Sequence, residues 1–289
     1  MIDLHTHSDA SDGTDSPAAL VAVAHAAGVT TLGLTDHDTT ARWDAAAAAV
    51  PAGMSLVRGA EFSTVSPDGR GGTVTAHLLG YLFDPAHPEI VTEQERLRVS
   101  RRSRVRTMGD RMAADGLPVD ADELLARLSP DSPAGRPHLA RVLVDAGVVD
   151  SVGAAFADLL SADGRYYVEK ENTPIVTAIA MVRAAGGFAV FAHPLARARG
   201  PVIEPSVLVD LVDAGLGGVE IDHPDHDDAD RATLRAVAAE TGLLVTGSSD
   251  YHGTNKTTPI AARTTAPEVL EALVARTTGV PVLTGDARP

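Results

Sequence analysis

The strongest constraint on the fold is an alternation: short β-rich runs are separated by alanine-rich stretches of helical periodicity. The runs fall at Ile2–Leu4, Thr30–Leu34, Ser55–Ala60, Val74–Leu79, Phe188–Phe191, Gly218–Ile221 and Leu243–Thr246. Such alternation predicts βα units around a parallel sheet. At 289 residues the chain has the length of one large α/β barrel or of two average domains. Helix ends are legible. Asp15-Ser16-Pro17 supplies an N-cap and a first-turn proline, and Gly28 follows Ala27 as a stop; Thr173-Pro174 opens another helix that Gly186-Gly187 ends. Between Leu82 and Val168 helical patterns follow one another with no strand between them. The expected organisation is therefore a barrel from 1–85 and 166–289, a helical insertion at 86–165, and a peripheral strand or tail after Gly279.

Charge and composition narrow the partners. A net charge of −15 argues against a coat for duplex nucleic acid or a binder of anionic membranes, both of which use surplus Lys and Arg. With no cysteine, any metal must be held by nitrogen and oxygen. No basic segment leads into an apolar run at the start, and no stretch approaches about 18 consecutive apolar residues, so the expectation is a cytoplasmic protein. One helix of the insertion, "ERLRVSRRSRVRTMGDRM", carries Arg96, Arg98, Arg101, Arg102, Arg104, Arg106 and Arg111. A solvated basic face is the first reading and a phosphate-backbone contact the second.

Chemistry-bearing residues gather where the strands end. In a strand, residues i and i+2 point to one side, so His5 and His7 project together as a chelating pair. Asp250 and His252 repeat that spacing after the last clear strand. Asp36, His37 and Asp38 follow "TTLGL", Glu61 follows "LVRGA", His77 lies in "TVTAHLLGY", His193 follows "FAVFA" and His223 follows "GVEI". In a barrel of parallel strands the carboxyl ends share one mouth, where active sites are built. One strand-terminal histidine is usually structural, and His25 and His87 are read that way. Six segments pointing at one mouth are not explained by packing.

These residues carry a resemblance. The chain is similar to the PHP (polymerase and histidinol phosphatase) superfamily, with "HTHSDASDG", "TDHD", "GAEFS", "HLLGY", "AHP" and "SDYHG" in the family's order. "GRPHLARVLVDAG" and "VEIDHPDHD" draw it toward bacterial phosphoesterases that include 3',5'-bisphosphonucleotide phosphatases and 5'-3' exoribonucleases. The resemblance implies a distorted seven-stranded β/α barrel with an inserted helical domain. It implies two or three divalent ions, manganese, zinc or iron. The first would take His5, His7, Glu61 and Asp250; the second Asp12, His37 and His252; the third Glu61, His77 and His193. Asp12 stands where some family members have histidine.

Ions roughly 3.5–4 Å apart suit phosphate-ester hydrolysis, because they bind the anionic ester, generate hydroxide at neutral pH and stabilise the leaving oxygen. The expected nucleophile is metal-bound hydroxide held by Glu61, Asp250 and His252. Arg136 and Arg197, supported by His223 and His138, are the expected binders of a substrate phosphate, since arginine donates two parallel hydrogen bonds; His226 and Lys170 are weaker candidates. The expected partner is a small phosphorylated substrate, a nucleotide or short oligoribonucleotide. The rival readings are an amidohydrolase of a C–N bond and a non-catalytic metal-binding domain. "SDYH" and the lack of a bridging lysine weigh against the first, and the filled ligand positions against the second.

Overall fold

The computed structural model describes residues 1–285. Its first βα unit shows how the sequence sets the architecture. β1 (Ile2–Thr6) is buried along its whole length, as befits a parallel strand covered on both faces. Ser16 then caps α1 (Pro17–Ala26) by accepting from the Ala19 amide, and Gly28 turns the chain at a φ of 81°, a conformation glycine adopts without a Cβ clash. β2 (Thr31–Leu34) returns parallel to β1. A Cβ on Gly33 would stand 2.1 Å from the Leu4 carbonyl oxygen, so this glycine permits the close approach of the two strands.

After α2 (Trp43–Ala47), the long β3 (Ser55–Pro67) pairs parallel with β2, and β4 (Thr73–Tyr81) folds back antiparallel along it. Four helices follow: α3 (Pro88–Ala114), α4 (Ala121–Arg127), α5 (Arg136–Asp145) and α6 (Val152–Asp158). The remaining elements are β5 (Thr173–Pro174), α7 (Ile175–Ala184), β6 (Phe188–Ala192), α8 (Val207–Asp213), β7 (Gly218–Asp222), α9 (Asp228–Thr241), β8 (Leu244–Gly247), α10 (Pro267–Val274) and β9 (Leu283–Thr284). The strand order is β1-β2-β3-β4-β6-β7-β8, with β5 and β9 attached to β3. Thr6 bridges Tyr251 in parallel, and the His7 amide donates to the Tyr251 carbonyl at 2.9 Å. That contact brings the end of β8 back to β1 and nearly closes a seven-stranded barrel.

One strand departs from the expected all-parallel sheet. β4 runs antiparallel to both β3 and β6, because a tight turn joins it to β3 where a parallel partner would need a crossover helix. The Asp68 carboxylate fixes that turn by accepting from the Arg70 and Gly72 amides. As a result Glu61 and His77 lie inside their strands, not at the ends, with Ser63 opposite His77.

Helices α3 to α6 enclose their own core of Val105, Met108, Met112, Leu139, Leu143 and Tyr166, among others. The arginines of α3 bind within the protein. Arg96 and Arg98 pair with Glu93 and Glu95, Arg106 with Asp122, and Arg101 with Asp38. Arg102, Arg104 and Arg111 donate to main-chain carbonyls of Leu125, Val168 and Tyr167. No described helix is long and apolar enough to cross a membrane.

Replacing Gly33 with alanine forces β1 and β2 apart, and overpacking of this kind costs about 1–3 kcal/mol. Chemical denaturation of the variant should show a midpoint lowered accordingly. An unchanged midpoint would contradict the close approach.

Candidate metal centre

The barrel mouth gathers all nine residues that the sequence suggests as ligands. His5 lies near the end of β1 and His7 directly follows the strand, with their Nε2 atoms 3.0 Å apart. Two acceptor nitrogens at that distance repel unless a proton or a metal ion lies between them. Glu61 supplies the centre of the arrangement. Its Oε2 lies 3.1 Å from His5 Nε2, 3.1 Å from His7 Nε2 and 3.2 Å from His37 Nδ1. Its Oε1 lies 2.7 Å from His77 Nδ1 and 3.0 Å from His193 Nε2. Asp250 Oδ1 completes the first group at 3.4 Å and 3.3 Å from the same His5 and His7 nitrogens. In a second group, Asp12 lies 3.3 Å from His252 Nε2 and 3.7 Å from His37 Nε2, with His7 alongside. The donors therefore form one continuous cluster, with Glu61 facing two sides of it.

The donor set fits divalent ions. Four of its buried atoms, His7 Nδ1, His37 Nδ1, His77 Nδ1 and Asp250 Oδ1, make no well-directed hydrogen bond among the described residues although all four have ion-pair contacts close by, and buried polar atoms left so are rare unless a ligand satisfies them. Backbone strain marks the same place. Asp38, His193 and Asp250 have φ of 50°, 31° and 51°, a left-handed conformation that costs a side-chain-bearing residue roughly 1–3 kcal/mol.

Outer contacts aim the imidazoles. His5 Nδ1 lies 3.1 Å from Glu220 Oε1, and His252 Nδ1 lies 2.9 Å from the Asp250 carbonyl oxygen. Protonation at each Nδ1 turns the Nε2 lone pair toward the centre, the usual support of a metal-ligating histidine. Glu220 also accepts from the His193 amide at 3.0 Å. Sequence reasoning missed this residue. The available signal was a carboxylate flanked by apolar neighbours in "GVEID", which places Glu220 on the barrel's inner face.

The charge states suit ligation. Burial opposes ionisation of Glu61, but the imidazoles of His77, His37 and His5 outweigh it and hold the carboxyl well below its usual range. Burial, reinforced by neighbouring cations, pushes His193 down to about 3 and His252 down to about 4. Both are neutral at physiological pH, the state in which an imidazole can ligate a metal. His5 and His7 differ: burial disfavours their charged forms, yet Glu61, Glu220 and Asp250 hold His5 well above its usual range, and Asp250 and Glu61 lift His7 to about 9. A metal ion therefore has to displace protons from this pair.

The other candidates divide. His223 lies 3.4 Å from Asp250 Oδ2, at the rim of the centre. His226 is structural, accepting from the Leu195 amide and facing the Ile221 carbonyl. Asp36 anchors Ser8 and Ser11, and Asp38 anchors Ser63. His138 Nδ1 accepts from the Gly135 amide. Arg197 does not reach the centre: its guanidinium pairs with Asp230. Arg136 donates to the Leu160 carbonyl and covers the rings of Phe156 and Tyr167. Arg199 and Lys256, which the sequence reading passed over, each donate to Asp250 Oδ2 at 2.6 Å. A cleft of about 600 Å³ opens beside them, lined by Arg141, Arg199, His223, Asp250 and Lys256.

Comparison with known proteins fits this geometry. Residues 3–103 match the PHP domain. The chain is 37% identical over 251 residues to a 5'-3' exoribonuclease of Haemophilus influenzae, covering 86% of this chain and 89% of the relative. It is 32% identical to a 3',5'-nucleoside bisphosphate phosphatase of Chromobacterium violaceum, covering 87% of each. A structure from Bifidobacterium adolescentis assigned as a metal-dependent phosphoesterase superposes with a TM-score of 0.89 at 32% identity, over 96% of both chains. Barrel, donor cluster and relatives together define a metal-dependent phosphoesterase. The chain belongs to the PHP domain family.

Two outcomes follow for metal uptake. Glu61→Gln should lower bound metal more than Asp12→Asn, because Glu61 serves two sides of the cluster and Asp12 one; elemental analysis showing an equal or smaller loss for Glu61→Gln would contradict the arrangement. Binding near pH 7.5 should release at least about one proton, and affinity should rise with pH across the range where His5 and His7, both held above the usual imidazole range, deprotonate. Calorimetry giving the same heat in buffers of different ionisation enthalpy would show that no proton leaves.

Proposed function

We propose that the protein hydrolyses a phosphate ester of a small nucleotide carrying a second phosphate, of the 3',5'-bisphosphonucleotide type, or the end of a short RNA. The observation that carries this reading is a surplus of cations beside the donor cluster. Arg101 and Lys170 both donate to the Ser63 hydroxyl, which in turn donates to Asp38. Arg104 lies close enough to Arg101 and Arg136 to be destabilised by them. Asp38 pairs with Arg101; among the described residues Arg104, Arg136 and Lys170 have no carboxylate in salt-bridge contact.

Such crowding is unfavourable in a chain of net charge −15 unless an anion is received there. Burial first, and Arg101 second, hold the Lys170 ammonium well below its usual range. Burial and the neighbouring arginines bring Arg104 down to about 10. An incoming phosphate relieves both.

The resulting division of labour suits a doubly phosphorylated substrate. His5, His7, Asp12, His37, Glu61, His77, His193, Asp250 and His252 would hold two or three ions of manganese, zinc or iron. Ions bound there would polarise the scissile ester, supply hydroxide at neutral pH and neutralise the leaving oxygen. Arg199 and Lys256 flank Asp250 on the cleft side, where they restrain its outer oxygen and leave Oδ1 directed at His5 and His7. Arg104, Arg136 and Lys170 receive the second phosphate and orient the first, so that remote binding energy is used at the reacting centre. A separate feature, the cleft of about 600 Å³ on the Asp250 side, is lined by Arg141, Arg199 and Lys256 and has the size of a small ligand.

Wild-type kcat/KM should be higher for a 3',5'-bisphosphonucleotide than for the matching monophosphate. Lys170→Ala or Arg136→Ala should narrow that preference with metal content unchanged. One charge-assisted contact is worth about 1.5–3 kcal/mol, roughly 10- to 150-fold in kcat/KM. Equal wild-type values for the two nucleotides would reject the substrate. A uniform loss on every substrate would reject the second-phosphate role of these cations.

A further inference from the structure

Asp12 differs from the other candidate ligands in what supports it. Most of those ligands lie within strands or directly follow them, whereas Asp12 lies in the loop between β1 and α1. Among the described residues, one hydrogen bond reaches its main chain: Asn255 Nδ2 donates to the Asp12 carbonyl at 2.7 Å. Asn255 is also tied to the opposite ligand of the same group. It ends the short 3-10 turn Gly253–Asn255 that follows His252, and its amide donates to the His252 carbonyl at 3.4 Å. Asn255 thus spans the two residues, Asp12 and His252, whose donor atoms stand 3.3 Å apart.

A side-chain amide can face either way, and its partners decide which. Arg141, on α5, donates to Asn255 Oδ1 at 2.9 Å and to Thr254 Oγ1 at 3.2 Å. A guanidinium only donates, so it accepts nothing from the amide nitrogen and turns Nδ2 toward Asp12. The neighbouring contact is equally close: the Thr254 amide donates to Thr14 Oγ1 at 2.9 Å, and a Cβ on Gly253 would stand 2.0 Å from that oxygen. The β1–α1 loop and the segment after β8 are thereby pressed together under a side chain from the inserted helices.

We infer that Arg141 and Asn255 are positioning residues for the second metal group, and that Arg141 sets its affinity by fixing the Asn255 amide against the Asp12 carbonyl. The inference rests on the reading of His7, Asp12, His37 and His252 as metal donors. It also gives helix α5 a role at the centre, because Arg141 lines the substrate cleft together with Arg199 and Lys256. A residue of the insertion then links cleft and metal group.

The test is titration of the full-length, metal-stripped chain with Mn²⁺ alone against a chromogenic chelator, in wild type and in the Asp12→Ala, Arg141→Ala, Asn255→Asp and double Arg141→Ala/Asn255→Asp variants. Asp12→Ala should abolish one class of binding. Loss of a residue that supports metal ligands weakens affinity about 10- to 100-fold, so Arg141→Ala and Asn255→Asp should each weaken that class by this factor and leave the others unchanged. Asn255→Asp keeps the Arg141 contact but sets a carboxylate oxygen against the Asp12 carbonyl. The double variant should bind no more weakly than Asn255→Asp, since the arginine acts through the asparagine. Additive losses, or weakening of every class at once, would overturn the inference while leaving the metal group standing. An Asp12→Ala chain with undiminished binding would overturn both.

Discussion

A carboxylate buried among five imidazoles organises this protein. Glu61 presents one oxygen to His5, His7 and His37 and the other to His77 and His193. Its own strand is part of the barrel wall, so these histidines reach it only if β1, β4, β6 and the segment after β2 hold their places around β3. Closure of β8 onto β1 then brings Asp250 and His252 into the same space. Much of the fold can be understood as the means of assembling donors that repel one another without a cation. Glu220 inside the barrel, and Arg199 and Lys256 at its mouth, are the charges that hold the innermost donors in aim.

The inserted helices belong to this account and are not an ornament on the barrel. Their arginines reach inward at Arg101 and Arg104, and Arg141 reaches the loop after β8. An acidic chain that collects cations at one side of an anionic cluster creates a receiver for a phosphorylated ligand of limited size. Phosphate groups held by fixed guanidinium and ammonium groups gain orientation as well as charge neutralisation.

Most of the candidate ligands were readable from sequence because they lie within or next to a short apolar run, and strand geometry places i and i+2 on one side; Asp12, in the loop after β1, came only with the family resemblance. His5 with His7 and Asp250 with His252 are the plainest cases. The direction of β4 was not readable from periodicity alone, since alternation is the same in both directions and only the turn at Asp68–Gly72 reverses the chain. The arginines exposed the limits of reading by proximity to a motif. Arg197 and Arg199 lie in one 3-10 turn, and with three residues per turn positions i and i+2 face different ways; Arg197 meets Asp230 and Arg199 meets Asp250. Lys256 and Asn255 lie beyond the motif that ends at Gly253, and only the folded loop shows that they return to it.

The central claim is that Glu61, with one oxygen facing each side of the donor cluster, would hold two ions at once. Electron paramagnetic resonance of the chain loaded with Mn²⁺ tests it most directly, because ions that share a bridging carboxylate are magnetically coupled. The account predicts a coupled multi-manganese spectrum in the wild type that collapses to isolated Mn²⁺ signals in Glu61→Gln. A wild-type spectrum of isolated, uncoupled Mn²⁺ at full loading would contradict it.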